Sequence, residues 1–284
     1  MNRRSADGSL RGSSGDVSAR EGTPVRYSAT VEYDGTDFAG FQHQPDLRTV
    51  QGELEAALAR ISGGSRVRVE GAGRTDAGVH AIGQVIAFTD PKGRTAEDLT
   101  RRLNALLPRD VSLRQMRRVP TGFHPRRAAR YREYRYTVWN GPRSPLHERF
   151  ALGVRDPLDT AAMERAGSVL VGRHDFSAFG AAHRQPVRTV HRVRVRREGS
   201  LVTIDVAADA FLRSMVRRMV AVLLEAGHGK LKEEAVAETL AAKRPALRGA
   251  TAPARGLCLR RVVFGPARDR AAAVSTNARS NGER

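Results

Sequence analysis

Tyr27-Ser28-Ala29-Thr30-Val31-Glu32-Tyr33 alternates apolar and polar side chains, the period-two signature of a strand with one buried face. Working outward, Val50, Leu54, Ala57, Leu58 and Ile61 share one helical face behind Thr49, a suitable N-cap. Arg66–Glu70 alternates again and Val85–Phe88 reads as a further strand. Thr95 with Asp98 resembles a capping box for a helix carrying Leu99, Leu103, Leu106 and Leu107, and Val111–Arg118 closes the series as a strand. The order β-α-β-β-α-β is the split βαβ, or ferredoxin-like, pattern. It recurs downstream: a strand through Tyr134, Tyr136 and Val138, a helix over Asp159–Val171, and strands Arg188–Arg196 and Leu201–Val206 joined at Glu198-Gly199-Ser200. A helix over Phe211–Ala226 ended by Gly227 and Gly229, a further helix over Leu231–Ala242 and a strand Leu257–Phe264 complete it. The fold class expected is α+β, with two ferredoxin-like (RRM-like) halves at residues 27–122 and 123–265.

The 284 residues hold 49 Lys and Arg against 30 Asp and Glu, a formal charge of +19. Residues 1–26 and 266–284, rich in Ser, Gly, Asn and Arg without apolar periodicity, read as disordered tails. Each contributes only +2, so +15 belongs to the part expected to fold. A polyanionic partner is the leading inference, against an Arg-biased composition with no such partner. The single cysteine, Cys258, excludes a disulfide framework. No stretch approaches the ~20 apolar residues of a membrane span, and no signal-peptide apolar region is evident. A soluble, cytoplasmic protein is expected.

Chemistry concentrates in few places. Gly71-Ala72-Gly73-Arg74-Thr75-Asp76-Ala77-Gly78-Val79-His80 joins two expected strands, and its glycines allow close approach of a ligand. It lacks the Gly-Lys-Ser/Thr of a phosphate-cradling loop. It offers one carboxylate, Asp76, two residues from Arg74, and a neighbouring guanidinium favours the ionised form that a nucleophile or base needs. An ordinary hairpin connection would look the same. In Tyr131-Arg132-Glu133-Tyr134-Arg135-Tyr136 fall three of the chain's five tyrosines, as stacking on bases and pairing with phosphates would require. Core packing of Tyr134 and Tyr136 is the alternative. Arg213 and Arg217 stand at i, i+4 on the Phe211 helix, where a solvated basic face is the simpler reading. Asp34 and Asp37 fit a turn better than a metal pair, and His174-Asp175 fits a local cap as well as a proton relay. The eight His and one Cys show no zinc spacing, and no dinucleotide fingerprint occurs, so metal and redox chemistry are disfavoured.

Gly73-Arg74-Thr75-Asp76-Ala77-Gly78-Val79-His80-Ala81, followed by Gly83-Gln84-Val85, resembles the TruA family of tRNA pseudouridine synthases. So do Tyr33-Asp34-Gly35-Thr36-x-Phe38-x-Gly40-Phe41-Gln42-x-Gln44, Thr49-Val50-Gln51-Gly52-x-Leu54-Glu55, Phe123-His124-x-Arg126 and Tyr134-Arg135-Tyr136. Gly172-x-His174-Asp175-Phe176-x-Ala178-Phe179, Phe211-Leu212-Arg213-x-Met215-Val216-Arg217 and Ala252-Pro253-x-x-Gly256-Leu257 continue the resemblance in order, so that it covers residues 27–264. Ala221, where the family usually has Gly, and Cys258, where it commonly has an aromatic residue, depart from the pattern.

The resemblance implies isomerisation of uridine to pseudouridine at positions 38–40 of the tRNA anticodon arm, without a cofactor, by a homodimer. It implies two ferredoxin-like halves whose antiparallel sheets meet at a central cleft. By position, Asp76 matches the catalytic aspartate, Tyr134 the tyrosine stacked on the target base, and Arg74 the arginine that helps position RNA and extrude the base. Arg217 matches the arginine that pairs with the aspartate, and Leu257 an apolar residue lining the pocket. The alternative from another class is a catalytically silent RNA-binding module of RRM-like fold.

Overall fold

The computed structural model describes residues 22–245 and 249–265. Its first part runs β1 (Val25–Tyr33), α1 (Val50–Ile61), β2 (Glu70–Gly71), β3 (His80–Asp90), α2 (Ala96–Leu106) and β4 (Val111–Arg118). A short α3 (Pro125–Ala128) leads into β5 (Ala129–Asn140), β6 (Leu152–Val154), α4 (Thr160–Ser168) and β7 (Gly172–Asp175). Then come β8 (Val187–Glu198), β9 (Leu201–Ala208), α5 (Met215–Gly227), α6 (Glu233–Ala242) and β10 (Leu257–Phe264). The caps are those expected: Thr49 Oγ1 accepts from the Gly52 amide, Thr95 Oγ1 from Asp98, and the Asp159 carboxylate from Ala161 and Ala162.

The strands form one mostly antiparallel sheet in the order β4-β1-β3-β10-β5-β9-β8-β7, with β2 on β3 and β6 on β5. Hydrogen bonding crosses from the first half to the second without a break. At the crossing β10 runs parallel to β3, pairing Cys258 with His80 and Leu259 with Ala81, while its other edge pairs antiparallel with β5. Ala81, Leu259 and Tyr134 belong to one continuous buried core. Burying a side chain the size of Leu259 is worth about 1.5–3 kcal/mol, so the seam itself is stabilising. No helix among the described residues is long and apolar enough to cross a membrane.

Four departures from expectation have physical causes. Val67 and Val69 are buried in alternation, but only Glu70 and Gly71 join the ladder. The backbone of Val69 is instead satisfied by α1: its amide donates to Glu55 Oε1 (3.1 Å) and its carbonyl accepts from Gln51 Nε2 (3.1 Å). Helix α5 begins at Met215 rather than Phe211, because Ser214 sits in the left-handed region at φ 59°. Gly227 packs against Met163 and Leu158 inside α5, and Gly229, at φ 73°, makes the stop. Finally, β1 starts at Val25, so residues 25 and 26 belong to the sheet rather than to a tail. Arg26 pairs with Glu70 and donates from Nε to the Phe123 carbonyl (2.8 Å). The rest of the tail expectation, residues 1–21 and 266–284, lies outside the described residues.

Candidate active site

The loop from Ala72 to Val79 is seated by the segment that follows β1. The Phe41 amide donates to the Thr75 carbonyl (3.1 Å) and the Gly78 amide to the Phe38 carbonyl (3.2 Å). Two glycines permit this approach. A Cβ at Gly35 would fall 2.1 Å from the Val79 carbonyl oxygen, and Gly40, at φ 107°, would place one 2.9 Å from that of Thr75. Beneath the loop, the buried Tyr33 hydroxyl shares a 2.8 Å hydrogen bond with Thr75 Oγ1, and Gln84 Nε2 donates to the Gly73 carbonyl (2.9 Å). The loop is thus held at both ends and from below, leaving Asp76 at its crest.

Asp76 is met by the second half. Ser214 Oγ donates to Asp76 Oδ2 at 2.9 Å, and Arg217 Nη1 approaches the same oxygen at 3.5 Å. The hydroxyl is therefore the closer contact and the guanidinium the looser, mainly electrostatic one. Arg217 is itself fixed through Nε, which donates to the Ala252 carbonyl at 2.7 Å. Among the described residues Oδ1 accepts no hydrogen bond, and the Asp76 side chain keeps 27% of its surface. One carboxylate oxygen is anchored and the other is open to an incoming group, the geometry a nucleophile or general base needs.

Tyr134 lies beside this carboxylate. Burial pushes its phenol well above the usual tyrosine range, and the Asp76 charge adds to the effect, so it is a neutral hydroxyl at physiological pH. Its ring meets Phe211 edge-to-face at 5.2 Å. Tyr136, on the same strand face, is fully buried and donates its hydroxyl to the Pro253 carbonyl (2.9 Å). Residue pattern alone leaves the two tyrosines equivalent; in the structure only Tyr134 lies beside Asp76.

Two of the interleaved arginines have partners within the protein. Arg132 is buried and donates to the carbonyls of Ala72 (2.8 Å), Arg126 (2.9 Å) and Asp209 (2.7 Å), and burial pulls its pKa down. Arg135 is paired with Asp205 at 2.7 Å. Arg74 is exposed and makes no hydrogen bond or ion pair among the described residues, so the guanidinium beside Asp76 is that of Arg217. Arg217, half-buried and bound at both ends, is not the solvated charge its helix position alone implied. Leu257 is 4% exposed and opposite Tyr136 in the β10–β5 register, two residues before Leu259, the partner of Tyr134.

Asp34 forms a turn with Thr36 and pairs with Arg149 at 2.6 Å. Burial opposes its charge, but the Thr36 hydroxyl and amide, Arg149 and His80 hold its carboxyl below the usual range. His174 contacts the Val171 carbonyl, while Asp175 accepts from Ser177 and pairs with Lys243 at 3.1 Å, so neither is joined to the other as a relay. Sequence reading missed Ser214 and the Ala252 carbonyl. A hydroxyl three residues before Arg217 was the available signal, hidden by the expectation that the helix already ran through it.

A family model described as tRNA pseudouridine synthase matches residues 29–126 and 166–265. The chain is 44% identical over 236 residues to tRNA pseudouridine synthase A of Halalkalibacterium halodurans, covering 82% of this chain and 90% of that one. It is 42% identical to the protein of that name from Pelobacter propionicus (83% and 98% covered) and 43% identical to that from Thermotoga maritima (84% and 99% covered). The matched segments contain Asp76, Tyr134's partner strand β10 and the whole of α5. With the loop, the α5 clamp and these likenesses in agreement, the chain belongs to the tRNA pseudouridine synthase family.

Proposed function

We propose that this protein isomerises uridine to pseudouridine at positions 38–40 of the tRNA anticodon arm, with Asp76 as the catalytic group. The observation carrying this reading is the Asp76 carboxylate, one oxygen held by Ser214 and Arg217 and the other free. The reaction breaks the N1–C1′ bond and joins C1′ to C5, while a proton leaves C5 and one is gained at N1. No atom or electron is exchanged with a second reactant. A carboxylate suffices, whether it attacks C1′, adds to the base or removes the C2′ proton.

The target nucleotide must leave its stack, at a cost of a few kcal/mol. Stacking on Tyr134 would return ~1–3 kcal/mol, and phosphate contacts to the +15 folded part would contribute further. In this reading Arg74, exposed at the loop, steers the RNA and helps extrude the base, and Leu257 supports the pocket wall. The strand orders β4-β1-β3-β2 and β10-β5-β9-β8 support ferredoxin-like units at residues 27–122 and 123–265. As the family resemblance implies, the protein works as a homodimer that touches one tRNA with both subunits, and, as its single cysteine suggests, it does so in the cytoplasm.

Pseudouridine mapping of tRNA from cells with and without the gene, repeated with Asp76→Asn, tests the reading. Loss of the modification at positions 38–40 in both the deletion and the variant is expected. An unchanged map would refute it.

A further inference from the structure

A second feature lies next to the site but takes no part in holding Asp76. The end of β5, the connection between β5 and β6, and the turn before β10 enclose a pocket of about 160 Å³, room for several water-sized groups. Arg143, Arg155 and Arg255 line it, against the single acid Glu148. Glu148 is engaged by Arg143 Nε at 3.1 Å. Arg155 and Arg255 have no carboxylate partner among the described residues, although both side chains are exposed into or beside the pocket. One wall is preformed. The Trp139 ring stacks on His147 at 4.0 Å and 13°, Trp139 Nε1 donates to the Pro142 carbonyl (2.7 Å), and His147 Nδ1 shares a 2.9 Å hydrogen bond with Ser144.

The run Ala252–Arg255 ties this pocket to the catalytic carboxylate. The Ala252 carbonyl holds Arg217, the Pro253 carbonyl takes the Tyr136 hydroxyl, Ala254 faces Gly78 of the Asp76 loop, and the Arg255 carbonyl meets His80 Nε2 at 3.1 Å. One end of four residues thus serves the site, and the other presents Arg255 to the pocket. Unpaired guanidiniums around a polar recess, beside the place where a strand of RNA would have to lie, match a phosphodiester in charge and in donor geometry.

We propose that this pocket takes a backbone phosphate of the substrate RNA flanking the nucleotide presented to Asp76, with Arg155 and Arg255 as its ligands. The proposal rests on the RNA-modifying reading above and adds to it a binding subsite. Its effect is to fix the register of the strand, so that the target ribose is delivered to the open oxygen of Asp76.

Trp139 is the only tryptophan in the chain, so its emission reports this pocket alone. Adding an anticodon stem-loop RNA to the full-length protein should change that emission. Arg155→Gln and Arg255→Gln should each abolish the change, weaken RNA binding roughly three- to tenfold and lower the slope of log K against log salt by about 0.7–0.9. Their melting temperatures should stay close to the wild-type value, as neither guanidinium makes a hydrogen bond or ion pair among the described residues. Arg173→Gln, on the far edge strand β7, is the comparison and should leave the emission response intact. The proposal is overturned if RNA leaves Trp139 unchanged, if Arg173→Gln weakens binding as much as the pocket variants, or if inorganic phosphate reproduces the response and RNA does not. Binding is read without turnover. A protein that bound RNA here but formed no pseudouridine would therefore sink the catalytic reading and leave this subsite standing.

Discussion

Ser214 donates its hydroxyl to Asp76 from a backbone held at φ 59°, a left-handed conformation that a β-carbon disfavours. A residue other than glycine in that region costs roughly 1–2 kcal/mol. Here the same kink ends the approach to α5 and aims the hydroxyl across the seam between halves. Position, not charge, is what Ser214 contributes.

Substitution at Ser214 should therefore separate stability from activity. Ser214→Gly should melt higher than Ser214→Ala, by about 1 kcal/mol of stability, because glycine relieves the left-handed strain. Both should lose roughly ten- to a hundredfold in kcat, since a hydrogen bond to a charged acceptor contributes ~1.5–3 kcal/mol. Thermal melts and single-turnover rates check this, and wild-type turnover by the glycine variant would show that the hydroxyl does not position Asp76.

Asp76→Asn keeps the shape of the side chain and its contact with Ser214 but removes the negative charge. Pseudouridine formation should fall by at least about a thousandfold, with RNA affinity within about tenfold of wild type because binding rests on phosphates. Filter binding and product analysis on one preparation read both quantities.

Arg217→Lys should fail despite keeping its charge. The guanidinium serves two acceptors in different directions, the Ala252 carbonyl and Asp76, and an ammonium on a flexible stem does not reproduce that fork. A loss of about 1–2 kcal/mol in stability is expected with the loss of rate, because the Ala252 carbonyl loses its donor. Full rescue by lysine would reduce Arg217 to a point charge.

Burial raises the phenols of Tyr33, Tyr134 and Tyr136 well above their unfolded value, which is about 10. Each folded tyrosine then holds a proton that the unfolded chain releases. Their contribution to stability is complete below pH ~10 and is lost as pH rises from there toward the folded values. Denaturant midpoints should fall steeply above that pH, and less steeply in Tyr134→Phe. The same variant separates ring from hydroxyl: it should retain RNA binding, while Tyr134→Ala should lose activity.

A chain beginning at Tyr27 should melt below one beginning at Gly22. The shorter chain loses the pairing of Val25 with Asp90 and the ion pair of Arg26 with Glu70. Equal melting temperatures would show that the start of β1 adds nothing.

Local order was legible from the sequence because it is local. Thr49, Thr95 and Asp159 cap helices through amides two or three residues away, and the alternation of Tyr27–Tyr33 states which side chains face the core. The Glu198-Gly199-Ser200 turn likewise carries its own geometry, with Gly199 at φ 58°. Asp76 was identifiable from the loop around it together with the family resemblance. Its charge partner was legible only through that resemblance, which pointed to Arg217; chain proximity pointed instead to Arg74, two residues away, which the loop turns to solvent.

The remainder required the assembled sheet. Parallel pairing of β10 with β3 joins residues 258 and 80, which no periodicity connects. In the assembled molecule Ser214, at φ 59°, and Arg217 both reach Asp76 of the first half, so that Arg217 is a clamp rather than a surface charge. Val69 shows the same rule in reverse, its strand pattern intact but its backbone hydrogen bonds taken by α1. Sequence by itself determined which faces are apolar and where turns begin, since both are set by neighbours within a few residues. Tertiary structure decided which polar groups meet, because hydrogen bonds and charges are satisfied by whatever the buried sheet carries to within about 3 Å of them.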